Sequence, residues 1–204
     1  MDPSVKTALQ RWPDVPAVYG WLSLDGRGRW RLHPLGDACL GGPGESITNI
    51  QLLSFIDRNY GCEADGRWFF QNGPQHVYVR LDSAPYILRY AESSSALQTH
   101  TGLLITSVWG WYLDDGGQLY AMTDLGPGSI DSRDLAHLLT ELHTDKGQTL
   151  IDFLESTQEL EANPHTLLRH PGLTSSALLH GLSHNDRENV LGFVGNPITP
   201  KTPW

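Results

Sequence analysis

The chain has 204 residues, 39% of them hydrophobic and 18% charged, with seven Trp, seven Tyr and five Phe, a composition of folded rather than disordered protein. Its net charge of −9 opposes a phosphate backbone and excludes nucleic acid as the expected partner. Two cysteines, Cys39 and Cys62, are too few for a disulfide framework or a cysteine-built zinc site, and they favour a reduced, cytoplasmic setting.

Met1 to Gly20 is polar, is interrupted by Pro3, Pro13 and Pro16, and lacks an apolar core of signal-peptide length. No run is long enough to span a bilayer, so membrane insertion is not expected. Gly20 to Leu32 alternates on both sides of Asp25-Gly26, which reads as a β-hairpin. Arg27, Arg29 and Arg31 are expected to share one solvated strand face. A glycine loop from Gly36 to Gly44 follows. The helical spacing of Ile50, Leu53 and Ile56 then predicts a helix capped by Thr48 or Asn49 and ended by Gly61.

Trp68-Phe69-Phe70 leads to a turn at Asn72-Gly73. The next strand places Val77, Val79 and Leu81 on one face and His76, Tyr78 and Arg80 on the other. Ser83-Ala84-Pro85 breaks it, and Tyr86 to Tyr90 resumes as a strand. After a polar linker at Ser93–Ser95, Leu103 to Leu113 reads as one long strand paired with Gln118 to Thr123. Helices are expected from Ser129 or Asp131 to His143 and from Thr149 to Leu160. In the tail, Ser175 to Leu182 is expected as a helix and Val190 to Val194 as a short strand.

Aligning Gly20-Trp21 with Gly110-Trp111 sets Asp25-Gly26 on Asp115-Gly116 and Trp30 on Tyr120. Shortening the first glycine loop then sets Leu52 on Leu135, Phe55 on Leu138 and Ile56 on Leu139. A hairpin-plus-helix unit is therefore expected twice, without the strands between the copies or the His-bearing tail. Asp65-Gly66 with Trp68 is expected to mark another hairpin and not a third copy.

Asp25-Gly26 with Trp30, Ile47 before the Leu52–Phe55 helix, Asp65-Gly66 with Trp68 and Phe69, and Val77–Leu81 before Asp82-Ser83-Ala84-Pro85 carry a resemblance. Over residues 20–120 the chain resembles proteobacterial proteins containing a domain of unknown function, with repeated α+β units partly similar to pleckstrin-homology-like folds. It departs from them at Gly36–Gly44 and Gln71–Gln75. The resemblance implies no established activity; ligand sensing or signalling is what it suggests, from fold alone.

The expected fold is α+β, mainly antiparallel sheet with duplicated hairpin-plus-helix units and a helical C-terminal region. Its divisions are an N-terminal extension (1–19), a first unit (20–95), a second (96–160) and a tail packed on the second (161–204). His180 and His184 would share one helix face as metal ligands do, but no acidic residue stands between them as a base. There is no Gly-x-Ser-x-Gly elbow, and the glycine loop lacks the Lys-Ser/Thr of a phosphate loop. Cys39, in the glycine loop, is compatible with a reactive thiol, whereas Cys62, just past a helix end, has no particular activation; an ordinary cysteine is the expected reading of both.

Trp21, Trp30, Trp68 and Trp111 are placed to converge if the copies pack together, with Arg67, Asn72, Tyr78, Arg80 and His100 as polar neighbours able to orient a ligand. The reading is a non-enzymatic ligand- or protein-binding module without a cofactor. Its partner is a small molecule or a protein, and a homodimer is compatible with it. The alternative is a metal-dependent or acid–base hydrolase using the C-terminal histidines.

Overall fold

The computed structural model describes residues 1–92, 95–156 and 165–200. Ser93, Ser94, the expected helix end Thr157–Leu160 and the tail residues Lys201–Trp204 lie outside them. The chain forms two compact units, Met1–Ser83 with Gly192 onward, and Ala84–Leu191.

The first unit contains helix α1 (Pro3–Arg11), strands β1 (Val18–Leu24), β2 (Trp30–Leu32) and β3 (Glu45–Ser46), helix α2 (Ile50–Arg58), and strands β4 (Tyr60–Cys62), β5 (Trp68–Asn72) and β6 (Gln75–Leu81). Its sheet runs β3-β2-β1-β6-β5-β4, antiparallel except that β1 and β6 are parallel. Proline in the first turn starts α1, where its missing N–H has no role. The Asn49 side chain accepts from the Leu52 N–H at 3.0 Å and so caps α2.

The second unit contains β7 (Tyr86–Tyr90), β8 (Leu97–Thr99), β9 (Val108–Asp114), β10 (Leu119–Thr123), β11 (Gly126–Ile130), α3 (Ser132–Glu141), β12 (His143–Thr144), α4 (Leu150–Ser156), β13 (Leu167–Arg169), β14 (Ala177–Leu182) and α5 (Arg187–Leu191). Its sheet runs β8-β7-β11-β10-β9-β14-β13-β12. From β11 to β12 the order and strand directions are those of the first unit, including the parallel β9–β14 pair. The strands that follow the hairpin and helix, among them the His-bearing β14, take the same order and directions in the two units.

Hairpin register explains an error of one residue in the sequence alignment. Asp25 and Asp114 make the same turn: each Oδ1 accepts from the backbone N–H two and four residues on, at 2.7–3.0 Å. Leu24 pairs with Trp30 and Leu113 with Leu119, so Leu22 and not Trp21 stands where Trp111 stands. A slip of one residue along a strand moves a side chain to the opposite face. Accordingly Trp21 is 45% exposed and Trp111 only 1%. The helices are also shifted by one: counted from their caps, Asn49 and Asp131, the buried Ile56 corresponds to the buried Leu138.

Other expectations change as well. Arg27 and Arg29 lie in the turn, not on a strand, and Asp25 accepts from both Arg29 and Arg31. Leu103 and Leu104 are exposed loop residues, so the long strand begins only at Val108. Among the described residues the C-terminal region is not mainly helical. Ala177–Leu182 is a strand because its central position between β13 and β9 overrides local helical spacing. Val190 is in α5 and Val194 bridges Arg67, which returns the tail to the first unit. Tyr86–Tyr90 pairs with β11 and so belongs to the second unit, where the sequence had set the change of unit at 95/96.

In these turns the glycine with positive φ is the fourth residue, Gly28 (74°) or Gly117 (80°), not the glycine of the Asp-Gly pair. Gly28→Ala and Gly117→Ala should each cost about 1–2 kcal/mol in urea denaturation. Gly26→Ala, whose added Cβ would meet only the Ser83 Cβ at 3.9 Å, should cost much less.

Candidate functional site

Helix α2 lies over the apolar face of the first sheet. Trp30, buried in β2, donates its Nε1–H to Asp57 Oδ1 of α2 at 2.8 Å, and its ring meets Tyr60 edge-on at 5.1 Å. Trp68 is buried on the other side of Tyr60, at 5.0 Å. Trp30 thereby ties the helix to the sheet, and neither tryptophan lines the groove described next.

The helix leaves part of the face uncovered, and a groove of about 410 Å³ remains. Leu22, Phe70 and Val77 contribute from the sheet, and Leu52 and Ile56 from the helix. Trp21 and Leu32 are at its rim, 45% and 40% exposed, and Asn72 and Gln75 bring two amides from the β5–β6 turn. None of its lining side chains ionises. Trp21 reaches the groove because β1 is irregular between Val18 and Leu22, where its pairing with β6 shifts register. Gly20 permits this: its φ is +81°, and a Cβ there would lie 2.2 Å from the Gly36 carbonyl oxygen.

The opposite sheet face is polar and internally paired. Arg67 stacks over Tyr78 at 4.7 Å and donates to Glu63 (2.6 Å), Asp65 (2.8 Å) and the Tyr19 hydroxyl (3.2 Å). His76 Nδ1 lies 3.2 Å from Glu63, and Tyr19 stacks on Tyr78 at 4.5 Å. Burial, then the hydrogen bond to Glu63, pushes the Tyr78 phenol well above its ordinary value. Two predicted site residues thus meet here, but Arg67 is occupied by the chain's own acids. Glu63, which bridges Arg67 and His76, carried no sequence motif that would have singled it out.

Arg80 is buried on the same face as Tyr78. It donates to the carbonyls of Ala38 (2.6 Å) and Gly42 (3.0 Å) and pairs with Asp82 at 2.8 Å. It therefore pins the glycine loop instead of facing a ligand. His33 lies beside it, 2.9 Å from the Ser23 hydroxyl; burial first and then Arg80 hold its pKa below the ordinary value.

In the second unit, His100 and Trp111 are buried, and His100 Nδ1 accepts from the Ile87 N–H at 3.3 Å. His180 is on a strand, stacked on Tyr112 at 5.0 Å. His184 follows in a short turn, with Nδ1 donating to Asp114 (3.1 Å) and Nε2 accepting from Arg187 (2.5 Å). The two histidines do not share a helix face, so the hydrolase alternative loses the spacing on which it stood. Among the described residues no group of three or more His, Cys, Asp or Glu is placed to hold a metal ion. Nor is any described helix long and apolar enough to cross a membrane.

A family described as "Protein of unknown function (DUF2946)" matches residues 1–198. The chain belongs to this family. The description names no activity. The DUF2946 chain is similar to a DUF1285 family protein of Silicibacter pomeroyi DSS-3 at 16% identity and a TM-score of 0.49, covering 88% of this chain and 95% of that one. It is also similar to a DUF1285 family protein of Shewanella baltica OS155 at 17% identity and a TM-score of 0.40, covering 58% and 89%. No curated protein matches.

Three buried histidines of this DUF2946 chain should govern its acid stability. Burial lowers the pKa of His33, His100 and His170 from the ordinary 6.5, His100 to about 3. The unfolded chain then binds more protons than the folded one below about pH 6.5, so stability falls as pH drops through that range. His100→Gln, which keeps an acceptor for the Ile87 N–H, should flatten this fall between pH 6.5 and 4 in denaturation midpoints. An unchanged slope would remove His100 from the account.

Proposed function

We propose that the chain is a non-enzymatic ligand-binding module of the cytoplasm, and that the groove beside α2 is its ligand site. The observation that carries this is the groove's lining: about 410 Å³ bounded by apolar side chains and two amides, without an ionisable group. That volume suits a small molecule. A site without acid, base or nucleophile can hold a ligand but has no group to move a proton or form a covalent intermediate.

The same reading treats the two units as copies of one α+β unit, which their common strand order and directions support. The pleckstrin-homology-like likeness enters only through antiparallel hairpins beside a helix. The reducing setting is supported by Cys39 and Cys62, both exposed and unbridged. Of the nine residues proposed for the site, Trp21 and Asn72 line the groove, and the others support it or belong elsewhere.

Titration with the neutral apolar probe N-phenyl-1-naphthylamine should show one saturable site. Leu52→Glu should abolish it. Leu52 is 42% exposed at the third position of α2, where Glu favours the helix start, so the variant should fold while placing a carboxylate in the groove. Absence of saturable binding, or equal binding by Leu52→Glu, would overturn the assignment.

A further inference from the structure

We propose that the ligand of this groove is a small, neutral, planar aromatic molecule carrying a ring N–H, a step that rests on the groove being a ligand site. The first ground is the internal comparison. The register position of Leu22, which borders the groove, is held in the second unit by Trp111, and that indole is 1% exposed. At one strand position of a shared topology, one unit carries its own flat aromatic side chain. The other carries a leucine beside open space.

The walls are the second ground. Trp21 at the rim and Phe70 in the sheet give two aromatic rings against which a flat molecule can stack or pack edge-on. A rigid ring loses no internal rotamer freedom on entering, whereas an aliphatic chain of similar size does. Charge is the third. With no ionisable lining group, a charged ligand would be desolvated without a partner, so the lining complements a neutral molecule.

The polar end completes the assignment. Gln75 donates one Nε2–H to the Pro16 carbonyl at 3.0 Å. Its carbonyl oxygen and the amide of Asn72 can both meet a ligand at this edge, and the two carbonyl oxygens there accept a ring N–H.

Isothermal titration calorimetry on the full chain should use indole, indole-3-acetate and 1-octanol. Indole should bind at one site, and the other two about tenfold or more weaker, a difference of about 1.4 kcal/mol. Leu22→Trp should keep native circular dichroism and lose indole binding, because the chain then supplies its own indole. Octanol or indole-3-acetate binding as tightly as indole would overturn the aromatic assignment while leaving the groove as a ligand site. Failure of both indole and the naphthylamine probe to bind would overturn both readings. If Leu22→Trp does not fold, Leu52→Glu takes its place: loss of indole binding supports the proposal, and native indole affinity in either folded variant ends it.

Discussion

A short helix over a wide sheet is the constraint on which the first unit depends. Nine residues of α2 span about 13 Å along the axis. Six strands at their usual spacing extend about 24 Å across. The helix can cover only part of that face, and its own cap, Asn49, fixes where it starts. Trp30 and Asp57 then fix where it lies, through a hydrogen bond of 2.8 Å. The uncovered remainder becomes the groove, bordered by a sheet floor and the solvent-side leucine of the helix.

The two sheet faces divide the labour of the unit. On one, Val77, Val79 and Leu81 alternate into the apolar face; on the other, His76, Tyr78 and Arg80 enter polar networks. Arg67 is held by Glu63, Asp65 and Tyr19, and the terminal nitrogens of Arg80 by Ala38, Gly42 and Asp82, while the buried Arg80 Nε has no hydrogen-bond partner among the described residues. A guanidinium whose terminal N–H groups are engaged by the chain itself offers little to a ligand. The face richest in polar residues is thus bound internally, while the plain apolar face retains space.

Local chemistry was readable from the sequence wherever a residue's role is decided by its near neighbours. The alternation of β6, the capped start of α3 at Asp131, and the hairpins around Asp25 and Asp65 are of this kind. What was not readable depended on pairing at a distance. Ala177–Leu182 has helical spacing but lies between two strands, and Gly126–Ile130, a Gly-Pro-Gly segment, is a strand because β10 and β7 flank it. Of the residues lining the groove, Trp21 and Asn72 are among the candidates named from sequence, whereas Leu52 and Ile56 read there only as a helix's core stripe. No pattern in the sequence says that a stripe will be left half uncovered.

The one-residue register error is instructive about the groove itself. Matching Trp21 to Trp111 made the two tryptophans look equivalent. Turn geometry, set by Asp25 and Asp114 with Gly28 and Gly117, breaks that match and pairs Leu22 with Trp111. The units then differ where it matters: a buried indole in one, and a leucine bordering open volume in the other. Apolar groove surface left in contact with water forgoes about 25 cal/mol per Å² of burial, so covering it is favourable. Trp21 and Leu32 at the rim keep the groove's mouth apolar, and the amides of Asn72 and Gln75 give it a single polar edge. On the proposed reading, apolar walls with one hydrogen-bonding edge would orient a guest in this groove.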